Sequence, residues 1–254
     1  MIDWLRVHGL WPFHVAWSQW SGQLLSGLLR TLEYTAAGFT AAVLLGLGLA
    51  LMRTSRHRLV RLPAAVYTEL FKNVPLLVIV FVLYFGLPET KSVFGGWVVL
   101  GSFNAGALAL AIFYAAYLSE TFRAALQGVH SAQREAAQAL GMSRWSIFAH
   151  VVFPQALRLA LPGTNTMLVD MLKSTSLLIT ITAGELMSVG QSVSSQTFEV
   201  MEVYLVLAAI YFAMCYPLSH ALLWLERRVR AGAALSIRRR QRLRHARALL
   251  GGAP

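Results

Sequence analysis

Long stretches of the chain carry no charged residue and are separated by short charged segments. Four such stretches cover residues 34–52, 73–88, 92–119 and 203–225. A fifth stretch, 162–183, is equally long but contains Asp170 and Lys173. A helix needs about 20 apolar residues to cross a bilayer core about 30 Å thick. The pattern therefore predicts an all-α membrane protein with about five transmembrane helices.

The composition supports the same class of protein. Of the 254 residues, 57% are hydrophobic and 13% are charged, and the mean hydropathy is +0.58. An average soluble domain carries roughly 25% charged residues, so a water-soluble fold of this size could not cover itself with so few charges. The single cysteine, Cys215, excludes an internal disulfide, and the sequence has no Cys and His spacing typical of zinc sites. We expect no metal site and no redox role.

The Lys and Arg residues are distributed unevenly among the segments that join the predicted spans, in a chain whose formal net charge is +11. Four arginines lie in 53–61, four lie in 120–161, and nine follow Leu225, whereas the opposite side has only Arg6 and Lys91. Lys and Arg residues in short loops are retained in the cytoplasm. The asymmetry predicts an N-terminus outside the membrane and a cytoplasmic C-terminus.

The two ends of the chain differ from its centre. Residues 1–21 contain Trp4, Trp11, Trp17 and Trp20. Because indole rings prefer the level of the lipid headgroups, we interpret this segment as an interfacial anchor on the outer face in preference to a soluble domain. Residues 231–254 are interpreted as a basic cytoplasmic tail that touches anionic lipid, since its arginines lack the aromatic neighbours that favour nucleic-acid binding. The transmembrane domain is predicted to cover 22–230.

One cytoplasmic connection, residues 120–161, is too long for a simple link and too regular for disorder. Ser131 is placed to cap a short helix, and Gly141 lies where a helix ends on a left-handed residue. Apolar residues then recur at intervals of three or four, among them Trp145, until Pro154 ends the pattern. We predict two short amphipathic helices. They lie on the inner leaflet or dock into a cleft of a cytoplasmic partner, and the pattern leaves both interpretations open.

A motif with fixed spacing lies within this connection. Its residues are Glu135, Ala136, Ala137, Gly141, Val151, Phe153 and Pro154. They fit the pattern EAA-x3-G-x9-I-x-L-P, with valine and phenylalanine in place of the isoleucine and leucine. The motif resembles the EAA loop of the permease subunits of bacterial ATP-binding-cassette (ABC) importers, and it stands on the predicted cytoplasmic side, where such a loop belongs.

Four further segments are similar to the polar amino-acid permeases of that family. They read YTELFKNVPLLV at 67–78, YAAYLSETFRAALQGV at 114–129, PQALRLAL at 154–161 and LKSTSL at 172–177. A common family version of the last segment has aspartate where this chain has Ser174. The similarity covers about residues 22–230 and leaves out the first twenty residues and the end of the tail.

The resemblance implies a subunit that forms the translocation pathway for a polar amino acid across the bacterial inner membrane. It implies a second permease chain, identical or a sister, two ABC ATPase subunits, and an extracytoplasmic amino-acid-binding protein. The chain itself would be no enzyme and would hold no cofactor, because ATP and magnesium bind to the partner ATPase. The sequence agrees, since its two Lys-Ser pairs, at Lys91 and Lys173, follow Thr90 and Leu172 and lack the glycine of a phosphate loop.

The resemblance also implies roles for the residues of the EAA loop. Glu135, with Ala136 and Ala137, would contact the ATPase, and Gly141 would set the angle between the two short helices. The helix beyond Pro154 would transmit movement to the fourth span. Trp145, an anchor if the two short helices dock into a partner, belongs to the same coupling loop. The alternative for Glu135 is a solvent-facing helix charge with little energetic effect.

Asp170 and Lys173 are the charged residues at membrane depth in the fourth span. Their i, i+3 spacing allows them to pair along one helix face. Unpaired charges cost at least about 2.5–3.5 kcal/mol each at the centre of a membrane helix, so such residues face the protein interior or a wet cavity. They either hold a zwitterionic substrate, with hydroxyls from Ser174 and Thr175, or only stiffen the span and face the neighbouring permease.

Two other functions remain open for a chain with this pattern. An ion-driven secondary carrier would transport without an ATPase but would leave the long connection at 120–161 unexplained. A membrane scaffold would transport nothing and would be insensitive to neutralisation of Asp170 and Lys173.

Overall fold

A computed structural model of the protein describes residues 15–86 and 100–250, with the backbone alone described from residue 230. Within these ranges the chain is helical and contains no β-strand. The helices are α1 (Trp17–Arg53), α2 (Arg58–Asn73), α3 (Leu76–Phe81), α4 (Ser102–Gln127), α5 (Ser131–Ala139), α6 (Arg144–Ile147), α7 (Phe153–Ser174), α8 (Leu186–Thr197) and α9 (Val200–Leu250). The prediction of an all-α protein is confirmed.

The apolar helices of the described chain provide between three and five membrane spans. Three helical segments are long and apolar enough to cross a bilayer alone: Trp17–Arg53, Ser102–Gln127 and Val200–Val229. Two further spans exist if each of two bent pairs counts as one. Arg58–Asn73 and Leu76–Gly86 meet at 106°, and Arg144–Ile181 and Leu186–Thr197 meet at 51°. The predicted number of about five corresponds to the upper count.

Helix α4 is the centre of the core. It contacts α1, α2, α3 and α7, and six of its thirteen buried residues are alanines. Its partner α1 buries a stripe that contains Gly27, Gly38 and Gly46 at intervals close to whole helical turns. A Cβ atom at Gly46 would lie 2.9 Å from Leu118 Cβ and 3.1 Å from the carbonyl oxygen of Ala115. The two helices therefore approach as closely as membrane helices do when small residues line their interface.

Helix α1 begins seventeen residues before the charge-free stretch that predicted the first span. Its first turns are fixed to α9, because Glu202 accepts hydrogen bonds from the backbone N–H of Val15 (3.0 Å) and from Trp17 Nε1 (2.8 Å). Trp17 and Trp20 pack against a small apolar cluster formed with α8 and α9, whereas Trp4 and Trp11 lie outside the described residues. The expected boundaries at 21/22 and 230/231 both fall inside helices.

Helix α4 is shifted relative to the third charge-free stretch. Residues 92–99 lie outside the described residues, and the helix begins at Ser102 after Gly101, whose ψ of 157° is extended. It continues past the predicted end to Gln127 and so includes Glu120 and Arg123. Glu120 forms ion pairs with both Arg53 and Arg123. These pairs allow charged residues to extend an apolar helix, which a search for charge-free stretches does not detect.

A sharp bend lies at the beginning of the second apolar stretch, residues 73–88, and separates α2 from α3. Val74 adopts an extended conformation (φ −97°, ψ 129°) and Pro75 precedes α3. A residue before proline is driven out of the helical region by the proline ring. The bend therefore follows from the Val74–Pro75 dipeptide, and it makes α2 a separate amphipathic helix with Leu59, Leu62 and Leu70 exposed.

The bend between α7 and α8 contains a buried carboxylate. The chain passes through a short 3-10 helix, Thr175–Ile181, and two residues with positive φ, Thr182 and Gly184. Glu185 is fully buried, and its carboxylate accepts hydrogen bonds from the N–H groups of Met187 (2.7 Å) and Ser188 (2.8 Å). Tyr211 of α9 donates to the same carboxylate at 3.2 Å. Glu185 thus caps α8 and joins it to α9.

The contact between α1 and α4 predicts opposite effects at two neighbouring glycines. Gly46→Ala should lower the free energy of unfolding by about 1–3 kcal/mol, because the added methyl group overpacks the interface. Gly48→Ala should leave it unchanged or raise it slightly, since no atom lies within 4 Å of a Cβ there and alanine favours helix. Thermal unfolding of the detergent-solubilised protein measures both variants. Equal melting temperatures for the two variants would contradict this packing.

Candidate functional site

The connection between α4 and α7 is folded as two helices joined at Gly141. Gly141 has φ +77°, a conformation that residues with a side chain rarely adopt. Its N–H donates to the carbonyl of Gln138 (2.9 Å), and the N–H of Met142 donates to that of Ala137 (3.2 Å). These two bonds form a Schellman motif, the usual glycine-dependent helix end. The predicted left-handed end of the first helix is confirmed.

The serine that caps a helix in this loop is not the one that the sequence predicted. Ser131 lies inside the first turn of α5, and no side-chain hydrogen bond caps that helix, because the chain already turns into it at His130. The serine that caps a helix is Ser143, whose Oγ accepts a hydrogen bond from the N–H of Ser146 at 3.2 Å. The expected capping role of Ser131 is therefore wrong, and Ser143 takes that role for α6.

The two short helices have a buried face and an exposed face. Ala137, Ile147 and Val152 are buried against the core. Glu135 and Ala136 are exposed, Leu140 is 81% exposed and Trp145 is 75% exposed. We refer to Glu135, Ala136, Leu140 and Trp145 as the loop face. Two large apolar side chains on such a face, beside a carboxylate, are typical of a surface that binds a partner.

Polar contacts fix the loop to the membrane helices. The side-chain amide nitrogen of Gln155 in α7 donates to the side-chain oxygen of Gln133 in α5 at 2.5 Å. The guanidinium of Arg134 donates to the carbonyl of Leu126, near the end of α4, at 2.6 Å. The loop face is therefore held at a defined position relative to α4 and α7.

Pro154 does not end the second helix, contrary to the expectation. Residues Phe148–Val152 form a π-helical turn, and Pro154 lies in the first turn of α7 immediately after it. A proline lacks the N–H that an internal helical position requires, but the wider π turn changes the hydrogen-bond register just before it. The chain consequently remains helical from Arg144 to Ile181.

The charged residues of α7 form a small polar cluster with α4. Lys173 Nζ lies 3.4 Å from one carboxylate oxygen of Asp170. The hydroxyl of Tyr114 donates to the other carboxylate oxygen at 2.9 Å and lies 2.8 Å from Ser174 Oγ. Sequence reasoning did not single out Tyr114, although a tyrosine buried in a charge-free span needs a hydrogen-bond partner. We call Tyr114, Asp170, Lys173 and Ser174 the polar cluster.

The polar cluster borders a cavity between α7 and α9. The cavity has a volume of about 380 Å³ and is lined by Asp170, Lys173, Asn165, Ser219 and Glu226, among others. The side chains of Asp170 and Lys173 are 54% and 57% exposed. Thr175, in contrast, is fully buried, and its hydroxyl donates to the carbonyl of Leu172 at 2.7 Å. The structure therefore brings together three of the four expected pathway residues and places Thr175 in the core.

The described side chains around this cavity include polar groups of both charge signs. No group of three or more His, Cys, Asp or Glu residues that could hold a metal ion occurs among them. The polar cluster offers a carboxylate, an ammonium and two hydroxyls beside a solvent-accessible cavity. Groups of both signs side by side can bind a small zwitterion through charge-assisted hydrogen bonds.

Comparison with known proteins identifies the family. Residues 42–231, well over half of the chain, match the family described as "Binding-protein-dependent transport system inner membrane component". The chain belongs to this family. It is thus a multi-pass subunit of the bacterial inner membrane and not an enzyme, and ATP is hydrolysed by a separate subunit of the transporter. The family works with ATPase and binding-protein partners. The resemblance inferred from the EAA motif is confirmed.

Individual relatives and a solved structure agree with the family assignment. The chain is 34% identical to the "Probable amino-acid ABC transporter permease protein PatM" of Vibrio harveyi over 80% of this chain and 90% of that protein. It is 36% identical to the "Octopine transport system permease protein OccM" of Rhizobium radiobacter, over 86% and 90% of the two chains. An amino acid ABC transporter solved with histidines shares 35% identity, with a TM-score of 0.77 over 85% of this chain and all of that one.

Proposed function

We propose that this permease forms the translocation pathway for a polar amino acid and that the loop face couples it to ATP hydrolysis. The observation that carries the proposal is the helix from Arg144 to Ile181, which contains both Trp145 of the loop face and Asp170 of the polar cluster. Twenty-five residues separate these two positions, or about 38 Å at about 1.5 Å per residue. A displacement of one end of this helix is transmitted to the other.

The arrangement in the membrane follows from the basic residues. The N-terminus is outside and the C-terminus is cytoplasmic, so that the loop face meets the cytoplasm. Two ABC ATPase subunits bind ATP and magnesium, and each receives one loop face in a groove. A second permease chain, identical or a sister, completes the pathway, and an extracytoplasmic amino-acid-binding protein delivers the substrate. The names of the relatives, which refer to amino acids and octopine, support this substrate class.

The loop acts as a lever in this proposal. Glu135, Ala136 and Trp145 contact the ATPase, and the buried Ala137 holds α5 against the core. The Schellman motif at Gly141 fixes the angle between α5 and α6. Pro154 and the π turn before it keep α6 joined to α7, so that closure of the ATPase pair moves the polar cluster. The exposed indole of Trp145 suits a partner pocket, because Trp side chains are enriched at the energetic centres of interfaces.

The polar cluster is proposed to hold the substrate. The Asp170 carboxylate meets the α-amino group, the Lys173 ammonium meets the α-carboxylate, and the hydroxyls of Ser174 and Tyr114 fix their orientation. The side chain of Thr175 is buried, so this residue contributes to the site only through its backbone, at the start of the 3-10 helix. An ion-driven carrier would need neither the loop face nor its Schellman motif, and a scaffold would need no cavity beside a charged pair at membrane depth.

The lever proposal predicts that Gly141→Val uncouples transport from ATP hydrolysis. A β-branched residue at φ +77° stores about 1–3 kcal/mol of strain, which is relieved if the angle between α5 and α6 changes. Transport per ATP hydrolysed should fall about tenfold or more, while the variant still inserts and still binds the ATPase. Substrate uptake and ATPase activity are measured together in proteoliposomes that contain the whole transporter.

Two matched variants control for the added side chain. Ala139→Val adds the same side chain at an exposed helical position on the same loop and should leave coupling unchanged. Gly141→Asn should retain most of the coupling, because asparagine tolerates the left-handed conformation. Normal transport per ATP by Gly141→Val at equal expression would contradict the lever.

The pathway proposal predicts a substrate-affinity defect for Asp170→Asn. The change removes the carboxylate and leaves the Lys173 ammonium without its partner at membrane depth. We expect the transport KM to rise about tenfold or more, since charge-assisted hydrogen bonds contribute about 1.5–3 kcal/mol each. Uptake of radiolabelled amino acids by the complete transporter measures KM and maximal flux.

Glu33→Gln provides the matched control for Asp170→Asn. Glu33 forms the same kind of i, i+3 pair with Arg30, at 2.9 Å and with 53% of its side chain exposed, on another membrane helix. Its loss should leave KM unchanged. Unaltered affinity and flux in Asp170→Asn, or an equal defect in both variants, would remove the polar cluster from the pathway.

A further inference from the structure

We propose that an arginine-lined cleft on the loop side of the membrane binds the phosphate group of an anionic phospholipid. The arginine cleft is lined by Arg53, Arg58, Arg61, Arg123, Arg134 and Arg144. It consists of two adjoining cavities of about 490 and 600 Å³, which share Arg53, Arg61 and Gln127. The cleft shares no residue with the polar cluster or with the loop face, although Arg134 and Arg144 belong to the same loop helices as that face. Neither proposed role of the chain accounts for it.

The arginines of the cleft greatly outnumber its acids. Glu120 pairs with both Arg53 and Arg123 and so balances one of six positive charges. Among the described side chains, Arg58, Arg61 and Arg144 form no ion pair. One guanidinium nitrogen of Arg134 donates a hydrogen bond to the carbonyl of Leu126, and the Nε of Arg134 is buried without a hydrogen-bond partner. A buried donor without a partner is unfavourable, and a bound acceptor would satisfy it.

The beginning of α2 adds to the attraction for an anion. The first turn of this sixteen-residue helix contains Arg58 and Arg61 and no acidic residue, and no side chain caps its N-terminus. The helix dipole favours negative charge at this end, so two arginines there are unfavourable in the absence of a ligand. An anion placed between them is favoured by the dipole, by free backbone N–H groups and by the guanidinium groups together.

The number and type of cations point to phosphate. Planar guanidinium groups match the oxygens of a phosphate with two parallel hydrogen bonds, and six of them exceed what a single carboxylate requires. Basic pockets between membrane helices on one face of the bilayer bind lipid headgroups by the same chemistry. A phosphate-bearing anion is therefore the ligand class that fits the cleft.

A lipid is the source of phosphate that the position of the cleft favours. Arg53 is the last residue of α1, directly after the exposed apolar residues Leu51 and Met52. On α2, an exposed apolar stripe of Leu59, Leu62, Val66 and Leu70 follows helical spacing, and Leu62 also lines the cleft. Acyl chains can lie along this stripe while the headgroup enters the cleft, as for an amphipathic helix at a bilayer interface.

The test uses the complete transporter in nanodiscs of phosphatidylcholine, alone or mixed with phosphatidylglycerol. Native mass spectrometry measures the phosphatidylglycerol retained after detergent extraction. Arg58→Gln with Arg61→Gln should weaken retention by about fivefold for each arginine, or about twenty-five-fold together. Phosphatidylglycerol should also raise the melting temperature of the wild type more than that of this double variant.

Arg158→Gln with Arg227→Gln is the matched control, because both arginines are exposed and line neither cavity. This control should retain lipid like the wild type. Arg58→Lys with Arg61→Lys keeps the charge but loses the planar fork, and should retain an intermediate amount. This variant also serves as the test if the glutamine variant does not fold.

Three results would overturn the proposal. Equal retention of phosphatidylglycerol by the wild type and the glutamine variant would show that the cleft binds no lipid phosphate. If millimolar inorganic phosphate displaces the bound phosphatidylglycerol, and the wild type retains no more phosphatidylglycerol than phosphatidylcholine, the cleft binds a soluble anion. If the glutamine variant no longer copurifies with the ATPase but retains lipid like the wild type, the cleft is part of a protein interface.

Discussion

The helix that runs from Arg144 to Ile181 is the constraint on which the rest of this permease depends. It begins in the loop that projects from the membrane helices, passes through Pro154 without a break, and continues past Asp170 and Lys173. The π turn at Phe148–Val152 makes this continuity compatible with the proline. Because a helix is stiff along its axis, Trp145 of the loop face and Asp170 of the polar cluster are held at a fixed separation, as the proposed lever requires.

Hydrogen bonds between polar side chains keep the other helices in place around this helix. Tyr114 joins α4 to α7 through Asp170 and Ser174, and Glu185 joins α8 to α9 through Tyr211. Glu202 holds the start of α1 through Trp17. Each contact satisfies a group that would be expensive alone in an apolar environment. The small residues between α1 and α4 complete the packing by dispersion contacts, since lipid provides no hydrophobic force between helices.

The class of the protein, its apolar helices and the glycine-terminated loop could be predicted from the sequence, because they depend on local composition and spacing. The left-handed Gly141 is such a case, since its conformation follows from its lack of a side chain. The helix boundaries could not be predicted in this way. Glu120 extends α4 beyond the apolar stretch because Arg53, which is distant in sequence, pairs with it, and the bend at Val74–Pro75 separates α2 from the second apolar stretch.

Only part of the polar cluster could be predicted from the sequence, because the rest depends on contacts between helices. Asp170 and Lys173 are recognisable because charges at membrane depth are rare, and their i, i+3 spacing is local. Tyr114 joins them only through the tertiary contact between α4 and α7, and Thr175 turns inward because the helix tightens to a 3-10 geometry at its position. Ser131 and Pro154 failed as helix signals because the true helix start and the π turn depend on how the loop packs against α4 and α7.

The most direct test of the lever is a photo-cross-link from the loop face in native membranes. A photoreactive phenylalanine analogue replaces Trp145 in cells that contain the complete transport system, and the same analogue at the exposed Phe212 of α9 serves as the control. The account predicts a cross-linked product between position 145 and an ATPase subunit, and none from position 212. A product with lipid alone at position 145, in a transporter that still contains its ATPase, would contradict it.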